Sequence, residues 1–450
     1  MDMDVPSTRR TGLSRRGVLR GLAAAVGAGA LAGCSSDVLS GLTTSRETAG
    51  SLDYWNLFGG GDGTRMQQML DTYRRDHPEV ALSATTLAWG NPYYTKLSLA
   101  TVGDKPPDVA IAHLTRMKNM VEAGLLQELD PAALARHGLG TDQFTPRTWE
   151  AGLVDGRAYS IPLDTHPFVM FYNTDVCEKA GLLGDDGNLT PLDSPEAFTD
   201  AMRRAKQVTG AYGGVVASIS ETSTPWRMFQ SLYSQLGGQV IADQGREVVL
   251  DDAKATEVLT FLRSLTADGL FPATADYQGS IAQFAEGQAG FYFQGEWEIS
   301  TFQTAKMPFS MTLFPHLYRE GPYAVQADSH TFVLPRHPDD SPERLDRALE
   351  FVASMLNQSK TWAEGGHVPS YRPFLETPEF RDLKPQSNYA AAAEAAAYDA
   401  EGWYSGSGSS FEIVTGSSIG AVITGQSTPA AALARMRSAL SDLARTPSPI

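Results

Sequence analysis

The 450-residue chain is 42% apolar and 20% charged, a balance that fits a globular protein of two or three domains and excludes a fibrous or disordered one. Its formal net charge of −16, from 36 basic against 52 acidic side chains, repels polyanions, and no basic run with interleaved aromatics offsets it, so nucleic acid is excluded as a partner. Two cysteines, Cys34 and Cys177, rule out a disulfide framework and a cysteine-rich zinc site.

Residues 1–33 read as an export signal. Ser14-Arg15-Arg16-Gly17-Val18-Leu19-Arg20 resembles a twin-arginine signal, and the apolar stretch after it, Gly21–Leu31, is too short to span a bilayer. Leu31-Ala32-Gly33-Cys34 is similar to a bacterial lipobox, which implies cleavage before Cys34 and acylation of its thiol and amine. Residues 34–50 are polar, rich in small residues and without periodicity, as expected of a flexible tether between membrane and globular body. The expected location is the outer face of the bacterial cell membrane, held by lipid.

The body alternates strand and helix patterns. Leu52–Phe58 reads as a strand with Trp55 in the core, and Gly59–Gly63 as a loop. The spacing of Met66, Met69, Leu70 and Tyr73 predicts a helix that ends at His77-Pro78. Val80–Trp89, Pro107–Ala112 and Phe168–Tyr172 read as strands, whereas 162–167 is too broken by proline to read as regular structure. Pro92–Val102 reads as a helix, and Cys177 as a small buried side chain at a helix start. Further helices are expected near Pro195–Gln207, Pro225–Leu236, Ala253–Ala267, Ile281–Gly290 and Pro342–Leu356. Alanine-rich Tyr389–Tyr398 and Pro429–Leu443 also read as helices. Gly290–Gln294, Phe309–Phe314 and Thr331–Leu334 read as strands. This alternation implies α/β packing, with ligands gathered beyond the carboxyl ends of the strands.

Catalytic signatures fail. No Gly-Lys dipeptide exists for a phosphate-binding loop, and the eight histidines are scattered without a zinc motif. Gly416-Ser417-Ser418-Ile419-Gly420 matches a hydrolase nucleophile elbow formally, but no histidine follows His367, so it reads as a Ser/Gly-rich turn before a helix. No catalytic residue, metal or cofactor is expected. Aromatic and polar residues at segment ends stand out instead: Trp89, Trp226, Glu296-Trp297 and Trp403. The apolar faces of sugar rings stack on such platforms, and acids and histidines take the hydroxyls.

In chain order, Trp55–Gly63, Pro107-Asp108-Val109 and Phe171–Asp175 precede Phe284–Gly290 and Gly295-Glu296-Trp297. Gly366-His367-Val368-Pro369 and Gly425–Leu433 follow. This ordered set resembles the family 1 extracellular solute-binding proteins of carbohydrate ABC importers, the maltose-binding-protein-like group. The bulky Phe291-Tyr292-Phe293, His166 and His330 depart from its usual pattern. The resemblance implies an α/β fold of periplasmic-binding-protein type, with two discontinuous lobes joined by crossover strands around a ligand cleft. Lobe 1 would be 50–162 plus 326–370, and lobe 2 would be 163–325 plus 371–450.

The candidate ligand residues in this sequence are Asp62, Trp89, Asp164, His166, Trp226, Glu296, Trp297, Asp328, His330 and Trp403. A ligand bridging Asp62 and Asp164 would draw the lobes together. The implied partners are an oligosaccharide, permease subunits with their ATPase, and the membrane, for a monomeric receptor. A glycerol-phosphodiester receptor, an exported glycoside hydrolase and an adhesion or sensory lipoprotein remain as alternatives.

Overall fold

The computed structural model describes residues 50–448. Cys34, the export signal and nearly all of the tether lie outside them. Two mixed sheets organise the chain. The first orders its strands as Ala81–Thr86, Ser51–Asn56, Val109–His113, His330–Val333 and Ser160–Pro162. The second runs Ala396–Ala397, Val325–Asp328, Asp164–Asn173, Ala289–Gly295 and Tyr212–Val215. Phe309–Leu313 and Val368–Pro369 also pair with its long Asp164–Asn173 strand.

Each sheet packs helices on its own core. In the first, Met66, Met69, Leu70 and Tyr73 bury the inner face of helix Gly60–Asp76 beside Tyr54 and Phe332, as their 3.6-residue period requires. In the second, helices Pro195–Thr209, Asp252–Ala267 and Pro429–Arg445 close over Phe168, Met170 and Phe293. Cys177 is buried there, in helix Thr174–Lys179, and burial pushes its thiol up to about 12.

The chain passes between the sheets at Leu163, again at Ser329 and a third time between Val333 and Val368. The first two crossings are tied side by side, with Leu163 N–H donating to the His330 carbonyl at 2.8 Å. Adjacent crossings of this kind form a hinge.

Several expectations are corrected. Residues 162–167 are regular after all: Asp164–Asn173 is one fully buried strand, and Pro167 is accommodated opposite Ala327. Gly60–Gly63 is the first helical turn and not a loop, and Gly61 lacks the Cβ that would press on Ser300 at 3.0 Å. Trp55 is half-buried, and its strand neighbour Tyr54 fills the core instead. The helix expected over Ile281–Gly290 lies earlier, at Tyr277–Ala285, where Asp276 caps the Gly279 N–H.

The alanine-rich segment forms one 3-10 turn, Ala390–Ala393, and the short strand Ala396–Ala397. Helix propensity is overridden there by tertiary ties such as the 2.6 Å bond from Tyr389 Oη to the Gly366 carbonyl. Gly416–Gly420 sits inside helix Ser410–Ile423, where both glycines let the backbone at Ser218 and Thr222 approach. The hydroxyl of Ser418 bonds to the Val414 carbonyl within that helix.

Candidate functional site

A cleft of about 540 Å³ opens where elements of the two sheets face each other across the crossings. The first-sheet side contributes Phe58, Gly59–Asp62, Trp89, His113 and His330. The second-sheet side contributes His166, Glu221, Ser223, Arg227, Tyr277, Trp297 and Glu298.

Strand register assembles the floor. His113 ends its strand and pairs with His330 across the first sheet, while His166 pairs with Asp328 across the second. The three imidazoles therefore meet, with ring centroids 4.2 to 5.6 Å apart. His166 and His330 turn Nδ1 toward Asp164 at 3.1 and 2.8 Å, which leaves Nε2 as the free ring nitrogen of each. Tyr94 Oη accepts from the His113 backbone N–H at 2.8 Å and can donate to His113 Nδ1 at 2.7 Å, a pattern that assigns the His113 proton to Nε2. Burial holds His113 well below the ordinary imidazole range and His166 at about 3, so both are neutral. Such a floor offers donors and acceptors together, as hydroxyl groups require.

The walls carry rings and acids. Trp89 is 43% exposed and stands edge-on to His113. Trp297 donates its indole N–H to Tyr277 Oη at 2.9 Å, and Tyr277 donates to Glu298 Oε1 at 2.6 Å. Arg227 lies over the Trp297 ring, 4.9 Å from its centroid. Three carboxylates, Asp62, Glu221 and Glu298, thus face a single guanidinium.

Behind the floor lies a buried polar cluster. Asp164 Oδ1 also accepts the His330 backbone N–H at 2.9 Å, and Oδ2 accepts Trp362 Nε1 at 2.7 Å. His367 stacks on Trp362, places Nε2 3.0 Å from Asp62 Oδ1, and places Nδ1 3.2 Å from Asp164 Oδ2. Burial disfavours charge on His367, but Asp62 and Asp164 outweigh it and hold its proton well above the usual range. Burial likewise pushes Asp164 up, yet His330 and His367 overrule it and hold the carboxyl well below the usual range.

Among the residues expected from sequence, Asp62, Trp89, His166, Trp297 and His330 line the cleft. The others are corrected. Asp164 and Glu296 are fully buried behind the floor, and the link from Asp62 to Asp164 runs through His367 inside the protein. Asp328 is buried and accepts from the Thr115 hydroxyl at 2.5 Å. Trp226 is core, its indole donating to Asp399 at 2.9 Å. Trp403 lies outside the cleft, half-buried, with its indole on the Thr446 carbonyl at 3.1 Å.

Sequence reasoning missed Phe58, His113, Glu221, Arg227, Tyr277 and Glu298. Only His113 carried a usable signal, its position at the carboxyl end of a strand.

One cleft contact titrates near neutrality. Ser223 donates to the buried carboxyl of Glu412, whose other oxygen accepts the Gly408 N–H at 3.3 Å. Burial pushes Glu412 from 4.5 up to about 7, against a partial pull from Arg227. The folded protein then holds this proton more tightly than the unfolded chain does. Stability should therefore fall as pH rises through the window from about 4.5 to about 7, by roughly 1.4 kcal/mol per unit of difference. In urea titrations at several pH values, Glu412→Gln should lose that part of the fall. Parallel profiles for parent and variant would contradict it.

Comparison with known proteins places the chain. Residues 60–358 match the model of the bacterial extracellular solute-binding protein family. The chain belongs to that family. It is similar to the maltodextrin-binding protein MdxE of Bacillus subtilis, 21% identical over 274 residues, a match that covers 59% of this chain and 60% of that protein. The arabinooligosaccharide-binding protein of Bacillus subtilis is 26% identical over 380 residues, covering 80% of this chain and 81% of that one.

Among solved structures, the GacH receptor of Streptomyces glaucescens shares the fold with a TM-score of 0.71 at 17% identity, covering 89% of this chain and 99% of that one. The sugar-binding protein MalE of Xanthomonas citri shares it with a TM-score of 0.71 at 16% identity, covering 88% of this chain and 97% of that one. The fold is the two-lobe α/β architecture of periplasmic binding proteins. Among the described residues, no helix is long and apolar enough to cross a membrane.

Proposed function

We propose that this family member is the membrane-anchored receptor of an ABC importer, capturing a neutral oligosaccharide between its lobes and presenting it to the permease. The observation that carries the reading is the cleft lining. Phe58, Trp89, Tyr277 and Trp297 offer ring surfaces, and imidazoles, carboxylates and one guanidinium lie between them. Similarity to maltodextrin- and arabinooligosaccharide-binding proteins supports the same ligand class. A phosphodiester ligand fits poorly, because a phosphate wants converging cations and this cleft sets three carboxylates against Arg227. The protein acts by binding, with no turnover.

A thermal-shift screen tests the ligand class. A sugar at about 100 times its Kd adds roughly 2.7 kcal/mol of stability. Neutral α-glucans or arabino-oligosaccharides should raise the melting temperature, and glycerophosphodiesters should not. A shift with the phosphodiester alone would overturn the reading. The anchor has its own test: Cys34→Ala should release the protein into the medium or leave an uncleaved precursor. Membrane retention of a mature-sized Cys34→Ala protein would refute lipid attachment.

A further inference from the structure

The cluster that joins the cleft floor to the residues behind it holds more ligating groups than a hinge needs. Asp164, His166, His330 and His367 are all buried, and one ligand-type atom from each lies within 4.8 Å of all the others. Asp164 Oδ1 stands 3.1 Å from His166 Nδ1, and Oδ2 stands 2.8 Å from His330 Nδ1 and 3.2 Å from His367 Nδ1. A metal ion with bonds of about 2.0–2.1 Å sets neighbouring ligand atoms roughly 2.9–3.4 Å apart, from octahedral to tetrahedral geometry. The Asp164–histidine distances fall in or near that range, and the whole set lies within 4.8 Å.

A second observation points the same way. Glu296 is fully buried, with Oε1 3.0 Å from His367 Nδ1, yet neither of its oxygens makes a hydrogen bond, and His367 Nδ1 makes none either. A buried carboxylate without donors is costly unless a cation compensates it. Asp62, Asp164 and Glu296 all stand within 3.2 Å of His367, three acidic side chains around one imidazole.

We propose that Asp164, His166, His330 and His367, with Glu296 in reach as a fifth ligand, form a binding site for one divalent transition-metal ion of the zinc class. Imidazole and carboxylate donors in this mixture suit zinc, cobalt or nickel better than calcium or magnesium. The histidines would ligate through Nδ1 and carry their remaining proton on Nε2. For His367 that proton already points at Asp62, 3.0 Å away, the carboxylate–histidine arrangement that orients a metal ligand. On binding, neutral His166 would move its proton from Nδ1 to Nε2 with no net release, whereas doubly protonated His367 would give up its Nδ1 proton to solvent. Trp362 and the His330 backbone N–H hold the outer side of Asp164. Because the ligands come from both sheets beside the crossings, the ion would pin the pivot about which the lobes close. The sugar-facing walls would stay unchanged.

The test uses the full mature chain purified without a metal-binding tag. Elemental analysis of the protein after dialysis against Zn(II) should find one equivalent. Added Zn(II) or Co(II) should raise the melting temperature, and a chelator should reverse the rise. Bound Co(II) should show visible absorption, and an unbuffered titration should release protons. His166→Gln and His330→Gln should each lose at least the 10–100-fold in affinity that even a supporting residue typically contributes.

Substoichiometric metal with no thermal shift in the parent would overturn the proposal, and the cluster would be a proton-bonded network alone. Uptake undiminished in both folded variants would also overturn it, placing the metal elsewhere. Should a variant fail to fold, the stoichiometry and Co(II) spectrum of the parent still decide. Sugar-induced thermal shifts measured on metal-free protein keep failure of this site distinct from failure of the carbohydrate reading.

Discussion

Trp89→Ala should weaken carbohydrate binding about 30-fold and leave the protein folded. The indole is 43% exposed, so its loss opens no core cavity, and its neighbours are a histidine edge and the Gly408 backbone. A ring left this open in a lined cleft is a stacking surface held for a partner, and aromatic anchors of this kind typically contribute 2 kcal/mol or more when a ligand covers them. Two kcal/mol is a factor of about 30 in Kd. Trp297→Ala should cost a similar amount, with an added loss of order around Arg227, which lies over that ring, and Tyr277, which accepts its indole N–H. Titration calorimetry of parent and variants against the sugar that gives the largest thermal shift checks both. Affinity unchanged by either substitution would place the sugar elsewhere.

Asp164→Asn should destabilise the protein by about 3–5 kcal/mol in metal-free denaturant titrations. The carboxylate is fully buried and accepts from His166, from His330 twice, and from Trp362, with His367 alongside. An amide of the same shape offers one acceptor oxygen and turns two N–H groups toward those donors. The loss is a large fraction of the 5–15 kcal/mol by which domains are stable. The destabilised element is the hinge, so the sheets' own helices should hold longest in hydrogen exchange. A loss below about 1 kcal/mol would mean that the cluster does not hold the crossings together.

The elements were legible where period and punctuation agreed. Helix Pro342–Leu356 begins behind a capping Ser341 with proline in its first turn, and its bounds follow from sequence. Met66, Met69, Leu70 and Tyr73 are buried as their spacing requires. Reading failed where tertiary contacts override local preference, as in alanine-rich Tyr389–Tyr398 and the proline-bearing start of strand Asp164–Asn173.

The site was half legible for a related reason. Trp226 and Arg227 are adjacent, and the roughly 100° turn between helix neighbours decides that the indole enters the core and the guanidinium enters the cleft. Helix Ser223–Gln235 is buried almost all round, so no polar face marks the difference. The histidines at 113, 166, 330 and 367 are scattered in sequence, and only strand register and the crossings bring them together.

Ligand capture by closure of the two lobes is the central claim, and small-angle scattering tests it most directly. Contacts made by both walls of the cleft exist together only when it is shut, so a bound sugar shifts the population toward the compact form. With saturating cognate sugar the parent should show a smaller radius of gyration than without it. Asp62→Ala, which removes a cleft carboxylate and frees His367, should show less compaction. A sugar that binds, by thermal shift, with no change in the parent's radius of gyration would contradict the account.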